Sequence, residues 1–502
     1  MSITGPGSIT AANVAAQTNM MNQLNTLGQE LASGQATQTY SGLQSQAGVA
    51  LALNAQLSAI AGYSNTATTV GTTLSVAQSV LTQLGTASSS IVQAIGEQGT
   101  FQLNNNGQTI TQGTAAAQLD NILSLLNTQV GSNYIFSGAG PNQQSVASAS
   151  DILNGNGAQA GLTQVISERQ QADLGASGLG HLSVAVGGAG SSTVTLSQDG
   201  TPFGFQLTGV NSSLTGATVT GPSAPPASIL VDLGSNPNPG DSIQFQLTLP
   251  DGSTQTISLQ ATTNSPPGAN QFTIGTLPSD TATNLQTTLT TAITGLTQTA
   301  LPAASAMAAA NDFFSDPPLR VNGSPPVTST ALVNGTTANT VFWYTGENGS
   351  TPALQTAPAQ VGPSMTIDYG MRANEQALTT LVANVAVLAA TTYSAGDPNA
   401  QGNYQALSHD VAGNLDGQPG TQTISDIEAN LANAQTTVSN AGTLNTQTQT
   451  TLQDILQNID GVNQNQIGED ILTLQNSLSA SMSVTARLAQ LSLVNYLSAV
   501  SG

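Results

Sequence analysis

The chain has 502 residues and a composition that is poor in charge. Charged side chains make up 6% of the sequence, against about a quarter in ordinary soluble proteins. The formal net charge is −21, and there is no lysine. Binding to a nucleic-acid backbone requires clustered basic groups, so this composition excludes nucleic acids as partners. Cysteine is absent, which excludes disulfides and thiolate metal sites.

The sequence carries no secretory signal of the ordinary kind. Such a signal begins with positive side chains, and the first arginine or lysine here is Arg169. We therefore expect any export to use a route without a cleaved signal peptide. No run of about 18 apolar residues occurs, so we expect no membrane insertion.

The first segment, residues 1–45, predicts an amphipathic helix from Ser8 onward. Apolar residues recur every three or four positions, the spacing of one helix face. They are Met20, Leu24, Leu27 and Leu31. Gly34 follows as a C-terminal stop. Residues 35–47 are polar and lack an apolar stripe, which predicts a bent connector.

The next segment, residues 46–140, predicts a helical rod. Apolar residues step by three and four from Val49 to Ile95, much longer than a typical globular helix. This pattern is typical of coiled-coil packing. After a break at 99–107 the helical pattern returns, and a short strand and turn are predicted at Tyr134–Gly138.

Residues 141–364 differ, because most prolines lie there and a period of two replaces a period of 3.6. The clearest feature is a predicted hairpin, in which Ile243–Leu249 and Ile257–Leu259 flank the turn Pro250–Gly252. A helix is predicted through Leu285. Further strands are predicted at 184–186, 194–196, 203–207 and 341–344.

Helical periodicity returns in the C-terminal part of the chain. Residues 365–465 predict a second rod, with apolar steps of three and four from Ile424 to Val462. Residues 466–502 predict a terminal helix, in which apolar residues between Leu488 and Val500 fall on almost every side. A helix that is apolar all round must be enclosed by protein or lipid. Polar residues interrupt the run, so we expect it to be enclosed by protein.

The stripes at the two chain ends each need a partner and can supply one another. We therefore predict an α+β fold with a long antiparallel helical bundle or coiled coil formed by both chain ends, and an inserted β-rich middle domain. The first and last helices keep spare apolar surface, which predicts an assembly interface with identical or related subunits. Its predicted residues are Met20, Leu24, Leu27, Leu31, Leu478, Met482, Leu488, Leu491, Leu493, Val494, Tyr496 and Leu497.

Several stretches at both ends are similar to one protein family. They are LGQELASGQ at 27–35, the helix at 47–77, NYIFSG at 133–138, YGMRANE at 369–375 and TARLAQLSLVNYL at 485–497. In pattern and placement they resemble bacterial flagellins, including the flagellin-like hook-associated protein at the hook-filament junction. NYIFSG is more typical of that junction protein. ATQTYSG at 36–42 departs from the family, which usually has basic residues and a pair of acids there.

The resemblance implies a structural subunit of the bacterial flagellum that polymerises through its terminal helices and supports swimming motility. It implies an extracellular position, reached through the flagellar export apparatus with the help of a chaperone. The partners it implies are further copies or related flagellin-family subunits. A filament subunit and a junction-layer subunit are both compatible with the residues.

No pattern in the sequence predicts catalysis, so we expect no enzyme activity, no catalytic or metal-binding residues and no cofactor. His409–Asp410 is expected at the surface of a polar connector. Gly155, Gly157 and Gly161 lack the spacing of a dinucleotide loop. Asp251–Gly252 is a turn pair rather than a calcium loop. Trp343 is expected in a core.

Arg372 and Glu375, three residues apart, are expected to form an exposed pair on a helix. Two other functions stay open. In one, the chain is a surface adhesin or binding module that uses the β-rich middle domain. In the other, it is a needle or translocon component of a secretion system, a class that seldom carries so large a β insertion.

Overall fold

The structure, a computed structural model, describes residues 6–36, 46–97, 101–200, 202–223 and 225–500. Side chains are described over these ranges except at 6–10, 460, 488–489 and 491–500. Most of the predicted connector at 35–47 lies outside the described residues, as does most of the ATQTYSG stretch.

The described chain is an α+β protein, as predicted. Its four long helices are α1 (Pro6–Ser33), α2 (Ala47–Gly96), α10 (Ile424–Asp460) and α11 (Gln464–Val500). The shorter helices are α3 (Ile110–Leu126), α4 (Ala149–Asn154), α5 (Leu162–Leu174), α6 (Pro278–Gln298), α7 (Ala300–Phe314), α8 (Gln376–Ala390) and α9 (Ala400–Leu415).

The strands are short and lie between α3 and α8. They are β1 (Gln129–Val130), β2 (Asn133–Tyr134), β3 (Leu182–Val186), β4 (Thr193–Gln198), β5 (Gln206–Ser212), β6 (Ala217–Ser223), β7 (Ser228–Leu233), β8 (Ser242–Thr248), β9 (Thr254–Thr262), β10 (Gln271–Thr273), β11 (Leu319–Val321), β12 (Leu332–Asn334), β13 (Pro358–Gly362) and β14 (Met365–Asp368). Two four-stranded sheets, of order β3-β4-β7-β6 and β10-β9-β8-β5, are the largest.

The chain divides into two compact units. The terminal unit comprises Met1–Gly71, Ala359–Ile367 and Thr436–Gly502. The central unit comprises Thr72–Pro358 and Asp368–Gln435. The five segments predicted from the sequence stay predictions.

Helix α2 confirms the long helix predicted from Val49 to Ile95. Its fully or nearly fully buried residues are Ala50, Leu53, Ile60, Ala67 and Val70 in the terminal unit, and Leu74, Ala77, Val80, Leu81, Leu84, Ala87 and Ile91 in the central unit. The exposed side has no charged residue. Threonine hydroxyls bond to the carbonyl one turn earlier instead, as Thr82 does to Gln78 at 3.0 Å.

The core of the central unit joins both four-stranded sheets to α6. The predicted hairpin is confirmed as β8 and β9, in which Ile243 pairs with Leu259 and Phe245 with Ile257. These inward-facing residues are buried, while their neighbours along each strand are exposed or half-buried. Leu285 on α6 is completely buried in the same core, which confirms the predicted helix.

Some local predictions for the central unit are wrong. The strand predicted at 203–207 begins only at Gln206, and the completely buried Phe203 and Phe205 precede it. Residues 341–344 form no strand, since Tyr344 makes only an isolated bridge to Val146. Helices α4, α5 and α7 lie in the segment predicted to be β-rich. In α7 alanine supplies most of the buried residues, so no stripe of large apolar residues marks the helix.

Candidate assembly surface

Helices α1 and α11 lie side by side and antiparallel in the terminal unit. At one end, Val462 N donates to Gly34 O at 3.2 Å. Further along, Gln17 Nε2 donates to Ser481 Oγ at 3.4 Å and to Thr485 Oγ1 at 3.0 Å. From one hydrogen-bonded pair to the next, the residue number rises along α11 as it falls along α1, so the two helices are antiparallel.

The two helices meet along a seam with coiled-coil spacing. Half-buried residues recur every three or four positions, at Asn13, Gln17, Met20, Leu24 and Leu27 on α1 and at Ile471, Leu474, Leu478, Ser481 and Thr485 on α11. The seam is apolar in one half and polar in the other. A polar residue in such a seam fixes the register at a cost in stability.

The structure separates the predicted interface residues into three groups. Met20, Leu24, Leu27 and Leu478 are half-buried and lie in the seam. Leu31 and Met482 are 38% and 47% exposed, so they lie beside the seam. The side chains of the other six residues, at 488–497, lie outside the described ones, and their predicted contacts stay predictions.

Sequence reasoning missed the polar half of the seam. Gln17, Ser481 and Thr485 continue the spacing of three and four that the apolar residues begin, but a search for apolar stripes omits them. The signal that could have found them is the spacing itself, read without regard to polarity.

Exposed apolar side chains concentrate in the terminal unit. This unit holds less than a third of the chain, yet ten of the fifteen exposed large apolar residues among the described side chains lie in it. They are Val14, Met21, Leu31, Val49, Leu51, Leu444, Ile455, Leu472, Met482 and Val484. Leu472 is 61% exposed. These side chains are the described apolar surface of the terminal unit that a partner could cover.

The arginines of the central unit form ion pairs with carboxylates of the same unit. Arg169 pairs with Asp173 at 2.9 Å and with Asp312 at 2.5 Å, and Arg320 pairs with Glu168 at 2.6 Å. Burial raises the pKa of Asp173 and of Asp312, although Arg169 opposes this shift in both. These pairs hold elements of the central unit together and leave their arginines unavailable to partners.

The predicted exposed pair of Arg372 and Glu375 is wrong. Arg372 precedes α8, is 7% exposed and pairs with Glu347 at 2.5 Å. Its hydrogen bonds hold the pKa of Glu347 below its usual range. Burial raises the pKa of Glu375, although hydrogen bonds from the Gln422 side chain and the Arg372 backbone oppose this shift.

Two stretches that carry the family resemblance contact each other. Gly138 N donates to Met371 O at 3.0 Å, and Ala373 N donates to Phe136 O at 2.9 Å. NYIFSG and YGMRANE, separated by more than 200 residues of sequence, are thus joined by backbone hydrogen bonds in the central unit.

His409 and Asp410 lie on α9 rather than in a connector. His409 is exposed, as predicted, and Asp410 is half-buried. Both line a cavity of about 550 Å³ with Asp251 from the β8–β9 turn and Asn384 from α8. Burial and the nearby Asp251 charge raise the pKa of Asp410 to about 6.

Trp343 lies in a core, as predicted. Trp343 is 3% exposed, and its ring packs edge-to-face against Phe314. Its Nε1 donates to Phe314 O at 3.2 Å. Gly155, Gly157 and Gly161 lie in and around the connection between α4 and α5.

Among the described residues, no cluster of three or more histidine, aspartate or glutamate side chains is placed to bind a metal ion. Within the same residues, every helix is too short or too polar to span a membrane. No protein-family model matches the chain, and no curated protein is similar to it in sequence.

Proposed function

We propose that this protein is a structural subunit of the bacterial flagellum that polymerises through its terminal helices. In this proposal both chain ends form an antiparallel helical bundle, and the middle of the chain is an insertion that faces outward. The subunit is exported without a cleaved signal peptide, by the flagellar export apparatus and with a chaperone. Its role is mechanical rather than catalytic.

The concentration of exposed apolar side chains in the terminal unit carries this proposal. The seam between α1 and α11 leaves its residues only half-buried, so two helices alone do not enclose the apolar surface that they present. Further copies, or related subunits, would cover the remaining faces. Contacts that do not close would then extend into a helical filament.

The resemblance to flagellins supports the same function. It covers stretches of α1, α2 and α11, and the contact between NYIFSG and YGMRANE makes two of its motifs parts of one local structure. Secretion and motility rest on the resemblance alone.

Electron microscopy of the purified protein tests the proposal. The full chain, supplied with sheared flagellar filaments as seeds, is expected to form fibres or a terminal layer on the seeds. The same protein lacking residues 471–502 is expected to do neither. Continued growth identifies a filament subunit, whereas growth that stops after one layer identifies a junction subunit.

Point variants separate assembly from folding. V484D places a charge on the exposed apolar surface of α11 and is expected to prevent growth. V333D makes the same change at an exposed valine of β12 in the central unit, and growth should persist. Fibres from the protein lacking 471–502 contradict the proposal.

A further inference from the structure

The terminal unit contains very few charged residues, and its acidic residues lie far from its single basic residue. Its sequence has five acids and a single basic residue, Arg487. The acids are Glu30, Asp454, Asp460, Glu469 and Asp470. No charged side chain precedes Glu30 in the chain.

All five acids lie where helices of the terminal unit end or begin near one another. Glu30 lies in the last turn of α1, Asp454 and Asp460 lie in the last two turns of α10, and Glu469 and Asp470 lie in the second turn of α11. The bridge between Gln35 and Gly461 joins this region. We call it the acidic end.

Arg487 lies far from the acidic end. It follows Glu469 by 18 residues on one continuous helix, a separation of about 27 Å along the axis. The neighbouring part of α1 is marked by Gln17, which bonds to Thr485, and it contains no charge. Arg487 is exposed and makes no ion pair with any described residue.

The other arginines are already neutralised. Arg169, Arg320 and Arg372 each bind carboxylates of the central unit at 2.9 Å or less. In a chain of net charge −21, Arg487 is therefore the one arginine left to attract an acidic surface, as far as the described residues extend.

We propose that Arg487 pairs with the acidic end of the terminal unit of a second copy of this chain, in a head-to-tail contact. The inference rests on the proposed function and adds the relative orientation and the register of neighbouring copies in the polymer. Opposite charges at the two ends of one rod attract when copies follow one another in the same orientation. Two copies in antiparallel orientation would also match charges, but they would close as a dimer and stop growth.

The test measures the critical concentration for seeded assembly by sedimentation. R487Q is expected to raise it about two- to fivefold, the range of one exposed ion pair, and R487E about tenfold because like charges then oppose each other. N121D, at an exposed residue of α3, gives the same net charge as R487Q and should leave the concentration unchanged. Circular dichroism of each monomer should match that of the unaltered protein.

A charge exchange identifies the acceptor. The variant R487E/E469R/D470R reverses both ends and should recover assembly relative to R487E. Added salt should reduce the difference in critical concentration between R487Q and the unaltered protein, since salt screens exposed ion pairs.

Three results overturn the inference. Assembly of R487Q at the unaltered critical concentration shows that the pair does not form, while the proposed function stands. Absence of recovery in the exchange variant shows that Arg487 does not meet Glu469 and Asp470. A closed dimer, or no self-association of the unaltered protein, removes the head-to-tail contact and with it the polymerisation that it depends on.

Discussion

Burial determines what the few charged side chains of this protein do. Asp173 is completely buried, and Arg169 reaches it from the preceding turn of α5 while its guanidinium lies 5.2 Å from the centre of the Phe203 ring. Removing one partner of such a pair leaves an uncompensated buried charge, which is far costlier than losing an exposed pair. Arg487 differs because water solvates it until a partner arrives.

Asp410 gives the stability of the central unit a specific pH dependence. Its folded pKa is about 6, above the ordinary 3.8, so the folded state favours the protonated carboxyl. The contribution to the free energy of unfolding is therefore complete below about pH 4 and is lost as the pH rises through 6. The facing ionisable groups are Asp251 and His409, and the facing groups from α7 and α8 are the neutral Asn311 and Asn384.

D410N is expected to stabilise the protein by about 1 kcal/mol at pH 7, a value reduced for the partial exposure of the group. The gain should vanish near pH 4, where Asp410 is itself neutral. Urea unfolding at both pH values measures it. D120N, which alters an exposed carboxyl of α3, serves as control. A gain from D410N that is equal at both pH values would disprove the assignment.

At the scale of elements, burial distinguishes helices that are stable within one copy of the chain from helices that need a partner to cover them. In the central unit, α2 keeps Leu74, Leu81 and Leu84 completely buried. Along α1, in contrast, every described side chain is exposed or half-buried. Helices of low burial open locally at little cost.

Hydrogen exchange should resolve this difference. In the unassembled protein, amides of α1 and α11 are expected to exchange at least about a hundredfold faster than those of α2 between Thr72 and Ile91, because they lack a closed apolar surface. After assembly, α1 and α11 should become protected while α2 changes little. Slow exchange of α1 and α11 in the monomer would mean that their surface is complete without partners.

The sequence predicts elements well where large apolar residues mark a face. The stripes of α2 and α10 and the alternation in β8 and β9 identify them without tertiary information. Helix α7 escapes such a search because small alanines pack closely against neighbours and leave no periodic signal. Helix α9 was missed although its sequence marks it, since Ala400, Tyr404, Leu407 and Val411 are buried and step by four, three and four.

The candidate surface is predictable in part for a related reason. Periodicity assigns Met20, Leu24, Leu27 and Leu478 to one face. Which residues stay exposed depends on the register in which α1 packs against α11. That register is set by contacts between residues more than 400 positions apart in sequence, such as Gln17 with Thr485. A single sequence does not encode that register in any local pattern.

At the scale of the whole molecule, charge and apolar surface are divided unequally between the two units. The central unit neutralises its arginines internally and buries most of its large apolar side chains. The terminal unit holds the one arginine free of described ion pairs, five acids and most of the exposed large apolar side chains that the structure describes. This division supports the proposal that the terminal unit is the part of the chain that polymerises.

Because Arg169, Arg320 and Arg372 are paired within the central unit, we expect the folded chain to resist trypsin, which cuts only after lysine and arginine. With no lysine in the sequence, exposed Arg487 is the favoured target, and brief digestion of the monomer should release residues 488–502 as the first fragment. Mass spectrometry of that fragment would report assembly directly, since a copy seated on Arg487 should block the protease. Early cleavage after Arg169 would show instead that the central unit opens first.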